Sequence, residues 1–455
     1  IKVPLVITGG GFTGGGRVSD LVSLIDLPAT VLDIAGVKVP ESYAGKSLTD
    51  LRGHDSVFMQ ISESQIGRAV RTKKWKYSVT AKNKDCAYAE SYTEDFLYDL
   101  ESDPYEKNNL VSDPAYADVK ADLRELLRPD GCVDEPGWAS SLVYEYSPFD
   151  VKANKLRIKE WDYYIVVDDN GYAFCTVIAD NRYMGLANSS FYDFNEGKKY
   201  DFITPLVMPM GSLHMPTDSS KGDIYFRSAN CELAYIHVDG GRRLTGRYKK
   251  CLLHDELEFD LFLKEFNDDD TMVIATPWQQ DKKAFYYNQK INCMPASGYV
   301  RFGGKSYEFT PERNYGTLDW GRGVWTYDNT WYWGSGNGTV NGKRFGYNIG
   351  YGFGDTTAAS ENMIFYDGKC HKLDRIRFEI PEDIMQPWKY ISSDGRFDMD
   401  FKPLYDNRTN LNALVIAQDA HQVFGKLSGK AVLDDGTALE IKDLTVFAER
   451  VRNRY

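Results

Sequence analysis

The residues best suited to chemistry cluster between positions 319 and 333, where an acid and a guanidinium occur among several indoles. Asp319 and Arg322 lie within one short segment, and Glu361 follows downstream. A carboxylic acid buried among apolar groups has a raised pKa and can donate a proton to carbon, while a guanidinium can orient it or stabilise charge. We therefore predict Asp319, Arg322 and Glu361 as catalytic residues. The alternative is that Asp319 and Arg322 form a structural ion pair that closes a turn.

Aromatic side chains in the same region predict a binding surface. Alternate residues of a strand point to one face, so the indoles flanking Tyr332 would share a face and could stack on an apolar or sugar ring. The chain has 31 Tyr and 9 Trp, an enrichment that favours strands. The predicted ligand-binding residues are Trp320, Trp325, Tyr327, Trp331 and Trp333.

Neither a metal nor a cofactor is predicted. The segment Gly9–Gly14 fits G-x-G-x-x-G, but a helix is predicted from Asp26 where a dinucleotide-binding fold needs its second strand. The seven cysteines include no C-x-x-C pair. The following histidines lack the spacing of metal ligands: His214, His237, His254, His371 and His421.

Charge and hydropathy restrict the partners and the location. The formal charge of -12 disfavours nucleic acid, which needs a concentrated basic face. No apolar stretch approaches the ~20 residues of a membrane span, so we predict a cytoplasmic protein. The sequence begins on the strand-like segment Ile1–Ile7 without Met. We therefore expect a truncated N-terminus, upstream of which a targeting segment would be invisible.

Turn signals predict that most of the chain is antiparallel β structure. Beyond about residue 143, aromatic and β-branched runs alternate with residue pairs that favour the positive φ angles of tight hairpins. These pairs are Asn170-Gly171, Gly240-Gly241, Asn341-Gly342, Asp367-Gly368, Asp394-Gly395 and Asp435-Gly436. The predicted fold class is an α+β N-terminal subdomain followed by a mainly β part with two antiparallel β-barrels.

The length supports several domains, because single cores seldom exceed about 250 to 300 residues. We predict an α+β subdomain at residues 1–130, a linker at 131–142, a first barrel at 143–296 and a second barrel at 297–455.

Several segments of the first 130 residues resemble the C-terminal part of the sulfatase family. They are Val3–Ile7, Leu21–Thr30, Gly45–Leu48, Arg68–Tyr77 and Leu97–Pro104. In that family a modified Cys or Ser within C/S-x-P-x-R acts beside a calcium site, and neither form of this motif occurs here. The family's metal ligands lie upstream of its Val-Pro-Leu strand, so none can be carried over. The resemblance implies a catalytically incomplete fragment. Sulfuric-ester hydrolysis is an alternative only if the missing sulfatase domain is supplied upstream.

The remainder, from about residue 144, resembles the domain-of-unknown-function family 2804 (DUF2804). The matching segments include Lys159–Tyr164, Phe285–Lys290, Leu318–Tyr327, Asn348–Asp355, Gln422–Gly425 and Glu449. That family is similar to lipocalin-like two-barrel proteins that include carotenoid and kievitone hydratases. The resemblance implies lipocalin-like barrels more securely than it implies a reaction.

Two classes of function are open for the barrel pair. One is a cofactor-independent hydratase or lyase, in which a carboxylic acid protonates carbon and an aromatic wall stabilises the developing cation. The other is a non-catalytic module that binds a small-molecule, lipid or glycan ligand. A sealed interior with a protonated acid favours the first class, and an open aromatic groove favours the second.

Overall fold

The computed structural model divides the chain into two compact units, residues 1–124 and residues 125–455. No helix among the described residues is long and apolar enough to cross a membrane. The structure describes residues 5–13, 15–40, 45–49, 53–54, 56–61, 66–81, 92–116, 119–120, 123, 126–128, 130–134, 136–250, 255–357, 359–413 and 416–454.

The described part of the first unit contains an α-helix and a four-stranded antiparallel sheet. The predicted helix is present as α1 (Asp26–Ile34), and Gly36 follows it with a φ of 70°, which glycine adopts without strain. The Asp26 carboxylate accepts hydrogen bonds from the backbone of Lys46 and from the His54 ring, which fixes the start of α1. The strands, in sheet order, are β1 (Ser56–Ile61), β2 (Gly67–Thr72), β3 (Trp75–Ala81) and β4 (Tyr92–Asp99). A 3-10 helix spans Pro114–Tyr116.

The second unit begins with a large antiparallel sheet. Its strands are β5 (Gly137–Ala139), β6 (Ile158–Asp168), β7 (Tyr172–Asp180), β8 (Met184–Asp193), β9 (Lys198–Val207), β10 (Ile224–Arg227), β11 (Cys231–Val238), β12 (Gly241–Tyr248), β13 (Leu257–Lys264), β14 (Met272–Pro277), β15 (Phe285–Phe302), β16 (Lys305–Phe309) and β17 (Tyr315–Val324). A 3-10 helix, Lys155–Arg157, precedes β6. The main path runs β10-β11-β12-β13-β15-β17-β6-β7-β8-β9, with β14 and β16 beside β15 and with β5 beside β14.

A second antiparallel sheet follows. Its strands are β18 (Asp328–Val340), β19 (Lys343–Tyr351), β20 (Met363–Tyr366), β21 (Lys369–Lys372), β22 (Ile376–Glu379), β23 (Trp388–Ser392), β24 (Phe397–Ala413), β25 (Ile416–Val432) and β26 (Ala438–Arg454). The order is β21-β20-β19-β18-β26-β25-β24-β23-β22. Both sheets are curled half-barrels, which confirms the predicted mainly β, two-barrel class.

Each of the six predicted turn pairs joins two neighbouring antiparallel strands. Asn341 and Gly342, for example, have φ angles of 52° and 75° between β18 and β19, as a type I′ turn requires.

Two predicted boundaries need correction. Residues 296 and 297 lie inside β15, and β17 still belongs to the first sheet. The change of sheet therefore falls between Val324 and Asp328. The predicted linker at 131–142 also contains structure, because Val133 is buried and β5 pairs with β14. Hairpin signals marked the turns, but composition alone did not reveal which strands share a sheet.

Side chains alternate along the central strands between two environments. Tyr164 and Val166 of β6 lie in the core enclosed by the first sheet. Trp161 and Ile165 of the same strand pack in clusters that include residues of the second sheet. Alternation therefore gives the first sheet an inner core and an outer face that contacts the second sheet.

Candidate functional site

A cross-strand row of polar side chains lies on the first sheet where it faces the second. Lys290 of β15 pairs directly with Asp319 of β17, and Asp319 pairs with Tyr163 of β6. Directly paired residues of antiparallel strands share a face. The Lys290 Nζ lies 2.7 Å from the Asp319 Oδ1, and the Asn288 Nδ2 donates to the same oxygen at 2.6 Å. Two donors therefore hold the Asp319 carboxylate in place.

A second row lies opposite, on the second sheet. Gln422 of β25 pairs with Glu449 of β26, Glu449 pairs with Trp333 of β18, and Trp333 pairs with Gly350 of β19. A side chain at Gly350 is excluded, because its Cβ would overlap the Glu361 Oε2. The absence of a side chain at Gly350 therefore leaves space for the Glu361 carboxyl group next to this row.

The two rows contact each other and form one network. The Lys290 Nζ lies 4.1 Å from the centroid of the Trp333 ring. The Gln422 Nε2 donates to the Glu449 Oε1 at 2.8 Å and to the Tyr163 hydroxyl at 3.2 Å. We call the following set the inter-sheet site: Tyr163, Lys290, Asp319, Trp333, Glu361, Gln422 and Glu449.

Glu449 is an acid of this site whose pKa lies near neutral pH. Burial raises the pKa of Glu449 from 4.5 to about 7, with a further rise from the charge of Asp319. The hydrogen bond from Gln422 and the charge of Lys290 oppose that rise. The residue as a whole is half-buried. A carboxyl group with such a pKa can both donate and accept a proton at pH 7.

Glu361 is the second acid favoured in its protonated form. Burial raises the pKa of Glu361, Lys290 opposes the rise, and the charge of Asp319 adds to it. The Trp333 Nε1 donates to the Asn348 Oδ1 at 2.7 Å, and the Asn348 Nδ2 donates to the Glu361 Oε2 at 3.2 Å. Among the described residues, the Glu361 Oε1 has no hydrogen-bond partner.

Aromatic rings form a wall beside the two acids. Trp161 stacks on Tyr286 at 6.1 Å, Tyr286 meets Trp325 edge to face at 5.4 Å, and Trp325 meets Trp331 at 5.2 Å. Gly321 makes room for this wall, because a Cβ there would overlap the Trp161 ring. Trp161 and Trp331 are half-buried, as is Glu449, whereas the other two rings are buried. The accessible part of the wall is therefore formed by Trp161 and Trp331.

The structure brings most of the predicted site residues together. Asp319, Glu361 and Trp333 lie in the inter-sheet site, and Trp325 and Trp331 lie in the wall. Trp333 contacts protein groups on several sides, since it packs against Lys290 and also against the Tyr163 and Phe447 rings.

Arg322 and Trp320 lie elsewhere, which corrects the prediction. The Arg322 Nη2 is 2.9 Å from the Asp162 Oδ1, and its guanidinium carbon lies 4.4 Å from the Trp320 centroid. Successive side chains of β17 point to opposite faces, so both residues lie on the inner face of the first sheet while Asp319 lies on its outer face. The predicted structural ion pair between Asp319 and Arg322 is not formed, since each pairs with another residue, and a catalytic role of Arg322 stays a prediction. Tyr327 is 47% exposed.

The sequence analysis missed Lys290, Glu449, Gln422 and Tyr163 as site residues. All four occur in the segments that resemble DUF2804, which is the one signal that could have found them. Their adjacency depends on strand register, which pairs residue 290 with 319 and residue 422 with 449.

No group of three or more His, Cys, Asp or Glu side chains in the described part of the chain is arranged to hold a metal ion. His254 lies outside the described residues.

Comparison with known proteins relates the first unit to sulfatases. Residues 1–130 match the family model described as N-sulphoglucosamine sulphohydrolase, C-terminal. Arylsulfatase K of Bos taurus is 28% identical over 198 residues, which cover 40% of this chain and 32% of that protein. Delta 4,5-hexuronate-2-O-sulfatase of Bacteroides thetaiotaomicron is 34% identical over 141 residues, which cover 28% and 27%. The chain spans about a third of the length of these relatives.

Two solved structures share parts of the β architecture at low similarity. Kievitone hydratase from Nectria haematococca aligns with a TM-score of 0.36 and 11% identity, covering 65% of this chain and 88% of that one. A putative AttH from Nitrosomonas europaea aligns with a TM-score of 0.37 and 13% identity, covering 67% and 95%.

The family model described as Domain of unknown function (DUF2804) matches residues 117–455. This match includes both sheets and every residue of the inter-sheet site. The chain therefore belongs to the DUF2804 family.

Proposed function

We propose that residues 125–455 form a cofactor-independent hydratase or lyase that adds water to, or removes it from, a carbon–carbon double bond of a small molecule at the inter-sheet site. The observation that carries the proposal is Glu449, a half-buried carboxyl group whose pKa is raised to about 7 beside an indole wall. A carboxyl group with this pKa can give its proton to carbon and take up a proton again within one turnover.

The addition of water needs one acid that becomes a base. Protonated Glu449 gives its proton to one alkene carbon, and the π electron pair forms the new C–H bond. Positive charge develops on the other carbon, where the accessible indoles of Trp161 and Trp331 stabilise it. Water attacks that carbon, and its extra proton returns to the Glu449 carboxylate. The reverse sequence eliminates water.

The neighbouring ion pair sets the strength of this acid. The Asp319 carboxylate raises the pKa of Glu449 and Lys290 lowers it, both acting after the larger effect of burial. The salt bridge between Lys290 and Asp319 also keeps the ammonium from forming a direct ion pair with Glu449. Such tuning by neighbours is typical of groups that transfer protons at neutral pH.

The test is hydration of two electron-rich alkenes, 4-vinylphenol and geraniol, in ¹⁸O-labelled water with product analysis by mass spectrometry. We expect an alcohol that has gained one labelled water molecule. Glu449→Gln should lower the rate by about 10²- to 10⁴-fold, the usual contribution of a general acid. Glu440→Gln changes an exposed acid of the same strand and should leave the rate unchanged. Undiminished turnover by Glu449→Gln would refute the assignment.

A non-catalytic binding module is the second candidate, favoured by the two donors that hold the Asp319 Oδ1. That group already accepts from Lys290 and Asn288 at short distances, as a structural acid would. Binding of both alkenes without labelled product, unaltered by Glu449→Gln, would support this candidate over the enzyme.

A further inference from the structure

Three buried polar atoms near the wall have no hydrogen-bond partner among the described residues. They are the Glu361 Oε1, the Asn288 Oδ1 and the Trp325 Nε1. Each belongs to a side chain that is more than nine-tenths buried. A buried polar group without a partner is destabilising, so three in one region call for an explanation.

All three side chains adjoin Tyr286. The Trp325 ring centroid lies 5.4 Å from that of Tyr286. After burial, the charge of Glu361 and a side-chain hydrogen-bond interaction with it both raise the pKa of Tyr286, so the Glu361 carboxyl group lies beside that hydroxyl. Asn288 lies two residues further along β15 and so points to the same face as Tyr286. The three unpaired atoms therefore belong to one region of the site.

The roles of these atoms follow from their other contacts. The Asn288 Nδ2 donates to the Asp319 Oδ1 and to the Trp320 carbonyl oxygen, which fixes the amide and leaves its Oδ1 as an acceptor. The Trp325 Nε1–H can only donate. The Glu361 Oε2 accepts from Asn348, which leaves Oε1 for a ligand, and a proton on Oε1 makes that atom a donor. With this proton, the region offers two donors and one acceptor.

We propose that these three atoms form a subsite for the hydroxyl group of an uncharged, ring-bearing ligand. A hydroxyl group accepts two hydrogen bonds and donates one, which matches the three atoms. The Lys290 ammonium is already paired with Asp319 at 2.7 Å, so it is not free to neutralise an ionised oxygen of the ligand. The ring of the ligand would then lie toward the accessible indoles of Trp161 and Trp331.

This subsite rests on the proposed function only in that it names the substrate class for the same site. Its test uses saturated compounds, which cannot be hydrated, and therefore does not depend on turnover. Isothermal titration calorimetry of the full chain compares 4-ethylphenol with 4-ethyltoluene, which differ by the hydroxyl group. We expect 4-ethylphenol to bind at least about 10-fold more tightly, because the analogue leaves buried polar groups unpaired.

Variants assign the preference to the individual atoms. Trp325→Phe removes the N–H and keeps a ring, so the preference should fall by about 5-fold, the value of one hydrogen bond. Glu361→Gln keeps a donor at this position and should retain the preference, whereas Glu361→Leu should lose it. Trp138→Phe, a half-exposed indole on β5, is the matched control and should change nothing.

Each remaining outcome decides against the subsite. Equal affinities of the two compounds, absence of binding by both, or an unaltered preference in Trp325→Phe would overturn it. Loss of preference in Glu361→Gln would show that Glu361 acts as an ionised acceptor and would also overturn it. Glu449→Gln separates the two proposals, because it should abolish hydration and leave the preference for 4-ethylphenol intact.

Discussion

Replacing Glu449 by Gln should change how stability depends on pH. The folded protein raises the pKa of Glu449 from 4.5 to about 7, so the folded state binds this proton more tightly than the unfolded state. A shift of this size corresponds to about 3 kcal/mol, at about 1.4 kcal/mol per pKa unit. Partial exposure of the residue reduces that value, and we expect about 1 to 3 kcal/mol.

The raised pKa of Glu449 determines whether its contribution to stability increases or decreases with pH. Stability from protonated Glu449 is fully present below about pH 4.5 and is lost as the pH rises toward 7 and beyond. Gln resembles the neutral acid in shape and in its single remaining acceptor oxygen. Glu449→Gln should therefore match the wild-type chain near pH 5 and be more stable by about 1 to 3 kcal/mol at pH 8.

Urea unfolding at pH 5, 6, 7 and 8, followed by tryptophan fluorescence, measures this difference. Glu440→Gln serves as the control, because its exposed side chain lies on the same strand outside the network. If the free energies of unfolding of Glu449→Gln and the wild-type chain differed by the same amount at every pH, the acid would not titrate as inferred. A less stable Gln variant at pH 8 would also contradict the reasoning.

Two further substitutions test how the site is positioned. Gly350→Ala should lower stability by about 1 to 3 kcal/mol in thermal melts, because its Cβ would overlap the Glu361 carboxylate. Gly137→Ala, with open space around its Cβ, should have a much smaller effect. Arg322→Met should cost about 3 to 5 kcal/mol by leaving Asp162 buried without its partner. It should leave the preference for 4-ethylphenol intact, whereas loss of that preference in a folded variant would show that Arg322 belongs to the site.

Much of the fold could be predicted from local signals. Hairpin pairs such as Asn341-Gly342 contain residues that adopt positive φ angles, so the positions of the turns could be predicted from the sequence. The boundary between the two sheets could not be predicted, because β15 continues through residues 296–297 without any change of composition. Strand pairing is a long-range property, and composition does not encode it.

The residues of the candidate site likewise differ in whether local sequence signals could predict them. Asp319, Trp331 and Trp333 could be proposed from the sequence because they are close together in it and chemically distinctive. Arg322, only three residues from Asp319, lies on the other face of the sheet, because alternation along a strand separates odd from even positions. Glu449 was missed as an acid because its partner Gln422 comes from another strand and its pKa depends on burial.

A neutral network also links the two sheets elsewhere on the same face, where the Asn292 Nδ2 donates to the Asn337 Oδ1 and the Ser335 Oγ at 3.0 Å each. The Asn337 Nδ2 in turn donates to the Thr317 Oγ1 at 2.7 Å, so these amides link β15 and β17 to β18. Buried ions are often less stabilising than apolar residues of similar volume. Because amides already specify the contact, the burial of Lys290 among three carboxyl groups is better explained by the chemistry that we propose than by folding.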